Sequence, residues 1–131
     1  MTTVTSVIPL QMSIMRILLI LNDPPYGSER VYNALRLAHA LVKKDTTTEA
    51  TIFLMADAVL AAKGGQKTPD GYYNIERMLK RVLADRGKVL LCGTCMDARG
   101  LDETSLIAGA RRSTMDELAA ATMEADKVLV F

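Results

Sequence analysis

Few residues in this sequence are soft metal ligands, and no segment is apolar enough to cross a bilayer. The chain has no tryptophan, one histidine and two cysteines, and no apolar run approaches the roughly 20 residues that a spanning helix needs. Cys92, Cys95 and His39 supply at most three soft ligands, so a structural zinc site is not expected. Two cysteines in a chain without a recognisable export signal indicate reduced thiols in a cytoplasmic protein.

The charge balance argues against a nucleic acid or an anionic membrane as the main partner. Lys and Arg number 16 against 15 for Asp and Glu, which leaves a formal charge of +1. With 131 residues, half of them hydrophobic, the chain is long enough to bury one sizeable core. The composition is that of an ordinary globular protein.

The first 14 residues are interpreted as an N-terminal extension before a single domain that spans residues 15–131. They lack a basic start and a small-residue cleavage site, and Pro9 interrupts the apolar part, so they make a poor signal peptide. Met12 or Met15 could be the natural start. We expect the extension to make a packing contact or to add an edge strand.

Strand and helix patterns alternate along the chain. Short apolar runs predict strands buried on both faces, and apolar positions at helical spacing lie between them. The predicted strands are Arg16–Leu21, Ala50–Met55, Lys88–Leu91, a short one at Leu106–Ala108, and Lys127–Phe131. The predicted helices are Ser28–Lys43, a short piece at Asp57–Ala62, one that Asn74 caps, and one that Thr114 caps.

This alternation predicts an α/β protein with a parallel sheet and helices on both faces. We expect a flavodoxin-like three-layer sandwich with five strands in the order 2-1-3-4-5. In that order strands one and three are neighbours at the topological switch point, where ligands bind beyond the carboxyl ends of the strands.

Cys92 is the candidate nucleophile. It ends the third predicted strand, and the amides of the turn Gly93–Cys95, Thr94 among them, with Arg99 or Arg112 nearby, favour a thiolate and lower its pKa. The alternative is a small buried hydrophobic residue, as most free cysteines are. Cys95 either resolves a mixed disulfide or persulfide on Cys92, or packs under the following turn.

Two loops supply candidate binding residues. Because the predicted order places strand one beside strand three, the loop Asn22–Ser28 should pass over the cysteine turn, with Asn22 or Asp23 close to Cys92. The glycine-rich segment 63–72 is the best candidate for a mobile loop. The glycines and lysines of KGGQK are a weak signal for anion binding, because no Walker motif or G-x-G-x-x-G accompanies them. The binding residues predicted from these two loops are Asn22, Asp23, Tyr26, Gly27, Ser28, Gln66 and Lys67. His39, at the border of a helical apolar stripe, is expected to be a flanking or interface residue.

Several ordered segments together resemble the DsrE/DsrF-like family, and within it the YchN subgroup. They are NDPPYGSERVYNALRLAHAL, FLMADAV, GQKTPDGYYNIERML, LCGTCMDARGL and ADKVLVF. The resemblance runs from about Met15 to Phe131. It implies a parallel α/β sandwich that assembles into homotrimers and homohexamers, with the sites near subunit contacts.

The resemblance also implies sulfur trafficking. Relatives in the TusD and DsrE branches accept sulfane sulfur on a cysteine as a persulfide, and that cysteine matches Cys92 when counted back from Arg99. Those branches often lack a second cysteine, so Cys95 departs from their pattern.

The sequence is therefore interpreted as a cytoplasmic sulfur carrier of sulfurtransferase type, with Cys92 as the persulfide site and Arg99 helping to hold the anion. Its expected partners are further copies of itself and sulfur donor and acceptor proteins, with no metal or organic cofactor. Two alternatives are a thioredoxin-like reductase that uses Cys92 and Cys95, and a non-enzymatic module that binds a small ligand or a protein.

Overall fold

The structure is a computed structural model that describes residues 13–131. The predicted contribution of the N-terminal extension lies outside the described residues. Four α-helices, two short 3₁₀ segments and five strands follow one another along this part of the chain. In order they are β1 (Arg16–Leu21), α1 (Arg30–Lys44), β2 (Glu49–Leu54), a 3₁₀ segment (Ala56–Ala62), α2 (Ile75–Ala84), β3 (Lys88–Cys92), α3 (Gly93–Ala98), a 3₁₀ segment (Glu103–Ser105), β4 (Arg111–Ser113), α4 (Met115–Glu124) and β5 (Lys127–Val130).

The five strands form one parallel sheet, which confirms the predicted α/β class and layered arrangement. Their order, β4-β3-β2-β1-β5, differs from the predicted 2-1-3-4-5. β1 pairs with β2 and β5, and β3 pairs with β2 and β4. The predicted contact between β1 and β3 is therefore wrong, because β2 lies between them.

The direction of the crossovers explains this order. Each step from β1 to β4 moves to the next strand on the same side, and right-handed connections then place α1 and α2 together on one face. The last connection runs back across the sheet to β5, so α4 covers the opposite face. Local sequence patterns do not encode the side on which a strand adds.

Alternating side chains of the buried strands feed two cores, as expected for strands covered on both faces. In β1, Ile17, Leu19 and Leu21 belong to the larger core beneath α1 and α2. Leu18 belongs to a smaller cluster beneath α4, together with Phe53 and other residues. This explains why the segment RILLIL is apolar almost throughout.

The predicted helix caps are confirmed. Asn74 accepts a hydrogen bond from the backbone N–H of Arg77, and Thr114 accepts one from the N–H of Glu117. No helix among residues 13–131 is both long and apolar enough to span a membrane.

The fourth strand was placed wrongly by the sequence pattern. It is Arg111–Ser113, and the predicted Leu106–Ala108 contributes only an isolated antiparallel bridge between Leu106 and Lys63. Two exposed arginines in a three-residue edge strand leave no apolar run to detect. The error matters for function, because β4 pairs with the end of β3 and brings Ser113 opposite Cys92.

Candidate functional site at the end of β3

Cys92 is the last residue of β3 and directly precedes α3. It is half-buried, packs against both core clusters, and keeps a free thiol. Its Sγ lies 3.3 Å from Thr94 Oγ1. The Cys92 side chain therefore packs against the core and remains partly exposed.

Hydrogen bonds favour the ionised form of this thiol. Burial alone would raise the pKa of Cys92. Bonds from the side chains of Cys95 and Thr94 and from their backbone N–H groups outweigh that effect, and the net result is a pKa below the ordinary value for a thiol. A lowered pKa increases the fraction of nucleophilic thiolate at neutral pH.

Cys95 behaves in the opposite way. Its burial and its hydrogen bond to Cys92 raise the pKa of the Cys95 thiol, although the N–H of Ala56 donates to Cys95 Sγ at 3.2 Å. Ala56 has a left-handed backbone (φ 52°), which is unusual for a residue with a side chain. The two thiols therefore have different roles. Cys92 ionises more readily, and Cys95 stays protonated and donates a hydrogen bond to it.

Arg99 does not face Cys92 in the way the sequence predicted. Its Nε donates to Asp57 Oδ1 at 2.8 Å, and its Nη1 donates to the carbonyl of Cys95 at 3.1 Å. These bonds tie α3 to the segment after β2. A cavity opens next to Cys92, and Arg99 is not among the described residues that line it.

A cavity of about 200 Å³ opens beside the Cys92 thiol. It is bounded by the end of β3, the start of α3, the end of β4 and the start of α4. Its lining residues are Phe53, Cys92, Gly93, Thr94, Arg112, Ser113, Thr114 and Met115. Sequence reasoning named Cys92 and Thr94 as site residues and noted Arg112 near them. It missed the other residues of β4 and α4, whose proximity depends on the pairing of β4 with β3.

Arg112 supplies the positive charge of this cavity. Asp97 accepts two hydrogen bonds from its guanidinium, at 2.7 and 2.9 Å, and Arg112 in turn holds the pKa of Asp97 below its usual range. The guanidinium lies against Gly93, where an added Cβ would stand only 2.8 Å from Arg112 Nε. Only glycine leaves room for this approach.

The loop Asn22–Ser28 does not join the cysteines, so the predicted shared site is wrong. Asn22 bonds to the carbonyl of Phe131, on the β5 side of β1. The intervening β2 separates the ends of β1 and β3 by about 10 Å. Asp23 bonds to Ser28 within its own loop at 2.8 Å, and Gly27 turns that loop with a positive φ of 102°.

Tyr26 and Gln66 have structural roles. The Tyr26 hydroxyl donates to Gln66 Oε1 at 2.6 Å and accepts from the N–H of Ile75 at 3.1 Å. Gln66 Nε2 donates to the carbonyl of Ala61, in the preceding 3₁₀ segment, and to that of Lys63, and Glu76 accepts from the Gln66 N–H. These bonds fix the middle of the loop 63–72, which the sequence predicted to be mobile.

Lys67 and His39 also lie apart from the cysteines. Lys67 is exposed, and within the described part of the chain it makes no hydrogen bond or ion pair. His39 donates to the carbonyl of Met78 at 3.0 Å and so joins α1 to α2, as a flanking residue would. No group of three His, Cys, Asp or Glu side chains within residues 13–131 is arranged to hold a metal ion.

Comparison with known proteins identifies the family. The sequence model of the DsrE/DsrF-like family matches residues 15–131. The chain belongs to the DsrE/DsrF-like family. Protein YchN of Escherichia coli strain K12 is 46% identical over 116 residues, which cover 88% of this chain and 98% of YchN. The uncharacterized protein MJ0989 of Methanocaldococcus jannaschii is 38% identical over 117 residues, or 89% of this chain and 100% of that protein.

Solved structures agree with this membership of the DsrE/DsrF-like family. The crystal structure of YchN from E. coli superposes with a TM-score of 0.85 at 45% identity, covering 90% of this chain and 100% of that one. MTH1491 of Methanobacterium thermoautotrophicum, described as a protein of unknown function, gives 0.73 at 12% identity, with 91% and 100% covered. The second likeness concerns the fold alone.

Proposed function

We propose that this DsrE/DsrF-like protein carries sulfane sulfur as a persulfide on Cys92. The observation that carries the proposal is the state of that thiol. Hydrogen bonds from Thr94 and Cys95 lower its pKa, and it opens into a cavity. A nucleophilic, accessible thiolate is what thiol exchange requires.

The chemistry needs no external oxidant or reductant. The Cys92 thiolate attacks the outer sulfur of a donor persulfide, R–S–SH. The new bond joins Cys92 Sγ to that sulfur, the bond between the two donor sulfurs breaks, and its electron pair leaves on the donor thiolate. An acceptor thiolate then repeats the exchange and restores Cys92.

The surroundings of Cys92 assign supporting roles to its neighbours. Thr94 donates to the sulfur, while Arg99 braces α3 against Asp57 instead of holding the anion directly. The sequence predicts donor and acceptor proteins as partners, and small thiols fit the same exchange chemistry. The predicted cytoplasmic location remains a prediction.

Self-association is a further part of the proposal, as a homotrimer or a homohexamer. It is supported by large apolar side chains that stay exposed on α4 and β5. Met123 is 89% exposed and Val130 65% exposed. Burying such side chains between subunits would remove apolar surface from water.

Mass spectrometry tests the carrier directly. The protein is treated with a mild persulfide donor, and the peptide that contains Cys92 is measured. We expect a gain of one sulfur atom on Cys92 in the native chain and in Cys95→Ser, and none in Cys92→Ser. Sulfur loading on Cys95 alone, or on neither cysteine, would contradict the proposal.

A dithiol reductase is the second candidate, and one observation favours it. The pKa of Cys92 is lowered and that of Cys95 raised, which is the division of roles that a nucleophilic and a resolving thiol need. This function predicts a rapid Cys92–Cys95 disulfide after oxidation. The same experiment separates the two functions, because a carrier retains its extra sulfur and a reductase expels it. A protein that only binds a ligand would show neither product.

A further inference from the structure

We infer that Arg112 selects sulfur donors that carry a negative charge near the sulfur transferred to Cys92. This inference deepens the proposed carrier function and rests on it. The substrate class is a small organic persulfide that bears a carboxylate. Arg112 is thus a specificity-determining residue.

The position of the guanidinium is the first support. Arg112 lines the same cavity as Cys92. The pKa of Arg112 is raised chiefly by its hydrogen bonds to Asp97, and the charge of Cys92 makes the smallest contribution. Asp97 accepts hydrogen bonds from two of the three guanidinium nitrogens. No described residue accepts a hydrogen bond from the third nitrogen, Nε, which packs toward Gly93.

The other arginines nearby are paired with acidic side chains, as Arg112 is, but they do not line the cavity. Arg99 is bonded to Asp57 and to the carbonyl of Cys95. Arg111 is paired with Glu117. Among the described residues, Arg112 is therefore the one cationic side chain on the wall of this cavity.

The cavity limits the size and character of the donor. Its volume of about 200 Å³ lies below the roughly 300–1,000 Å³ of typical ligand pockets, so it suits only a small molecule. Phe53 and Met115 form the apolar part of the cavity wall, and Thr94 and Thr114 contribute residues with hydroxyl groups. A molecule with a short carbon chain, a carboxylate toward Arg112 and a persulfide toward Cys92 suits this combination.

Transfer from such a donor balances as before. The Cys92 thiolate takes the outer sulfur of ⁻OOC–R–S–SH, the bond between the two donor sulfurs breaks, and ⁻OOC–R–S⁻ leaves with its electron pair. Arg112 interacts with the carboxylate before and after transfer. It forms no bond to the reacting sulfur.

Two alkylating agents that differ in charge provide a sharp test. Iodoacetate is anionic and iodoacetamide is neutral, and both react with the Cys92 thiolate. A change in the thiolate fraction alters both rates equally, so their ratio reports only the charge that the reagent meets. We expect Arg112→Gln to lower the iodoacetate-to-iodoacetamide rate ratio at Cys92 about threefold to fivefold, as for a unit charge ~5 Å away in water.

Three matched variants sharpen this measurement. Arg112→Lys, which keeps the charge, should restore most of the ratio, and added salt should reduce the native ratio. Lys88→Gln removes one charge at the opposite end of β3 and should leave the ratio unchanged. An unchanged ratio in Arg112→Gln, or an equal fall in Arg99→Gln, would overturn the inference.

Sulfur transfer separates this inference from the proposed function. Persulfides of mercaptoacetate and of mercaptoacetamide have nearly the same size but differ by one charge. We expect the native protein to load faster from mercaptoacetate persulfide, and Arg112→Gln to lose that preference. Equal loading from both donors in the native protein would refute the selection and leave the carrier intact. A failure to load from either donor, with the alkylation ratio as expected, would refute the carrier and leave the charge selection.

Discussion

Glu117 links β4 to α4 beside the cavity, and replacing it with glutamine tests the physical reasoning about this wall of the site. Glu117 accepts hydrogen bonds from Arg111 and from the buried hydroxyl of Ser113. These bonds hold the pKa of the Glu117 carboxyl at about 2, well below its ordinary value of 4.5. The isosteric change Glu117→Gln keeps the shape and removes the charge.

The expected loss of stability follows from this pKa. If the whole difference between the folded-state pKa of about 2 and the ordinary 4.5 contributed to stability, it would be worth about 3.4 kcal/mol. The Glu117 side chain is 37% exposed and its Arg111 partner 51% exposed, so solvent screening reduces that figure. Adding a weakened bond to buried Ser113, we expect Glu117→Gln to lower the free energy of unfolding by about 1–2 kcal/mol at neutral pH.

The pH dependence has a definite sign. Because the folded-state pKa of Glu117 is depressed, its contribution is fully present above about 4.5 and is lost as the pH falls through about 2. Urea unfolding of the native protein and of Glu117→Gln should therefore differ most above pH ~5 and converge at lower pH. Glu124→Gln, at the exposed end of the same helix, is the control and should change little. The reasoning would be refuted if the two proteins differed by less than about 0.5 kcal/mol in free energy of unfolding at neutral pH. It would also be refuted if that difference were the same at neutral and at low pH.

Three further predictions concern reactivity, the loop and assembly. Cys92 should alkylate faster than Cys95, and its rate should begin to rise at a lower pH, because the pKa of Cys92 is lowered and that of Cys95 is raised. Peptide mass spectrometry over a pH series measures both rates, and equal, slow labelling would contradict this prediction. Tyr26→Phe should cost about 1–2 kcal/mol of stability in urea unfolding, because it removes the hydroxyl between Gln66 and Ile75, and it should leave Cys92 labelling unchanged; slower labelling would mean that this loop does reach the site. Light scattering should give a trimer or a hexamer, and a clean monomer at micromolar concentration would contradict the proposed assembly.

Much of the candidate site was readable from local sequence. Cys92 ends an apolar run that predicts a strand, so it was expected at the carboxyl end of the sheet, and Thr94 and Cys95 lie within one turn of it. Hydrogen bonds over two or three residues depend on local backbone shape, so their effect on the Cys92 thiol was predictable. The lowered pKa agrees with that prediction.

The neighbours of Cys92 that come from distant parts of the chain could not be predicted from local sequence. Asn22 and Asp23 were assigned to the site on the assumption that β1 lies beside β3, and the observed order places β2 between them. Arg99 and Arg112 looked equivalent in sequence. Arg99 bonds to Asp57 and Arg112 to Asp97, and of these two arginines only Arg112 is among the described residues on the cavity wall.

The sequence by itself determined the alternation of strands and helices, the caps at Asn74 and Thr114, and the position of the Cys92 thiol at a strand end. Each depends on apolar periodicity or on hydrogen bonds between residues a few positions apart. Only the tertiary structure decided the strand order, the place of β4, and hence which cation lines the same cavity as the cysteine. Those features depend on the side to which each crossover returns, and that choice is set by the packing of whole helices against the sheet and not by any short segment.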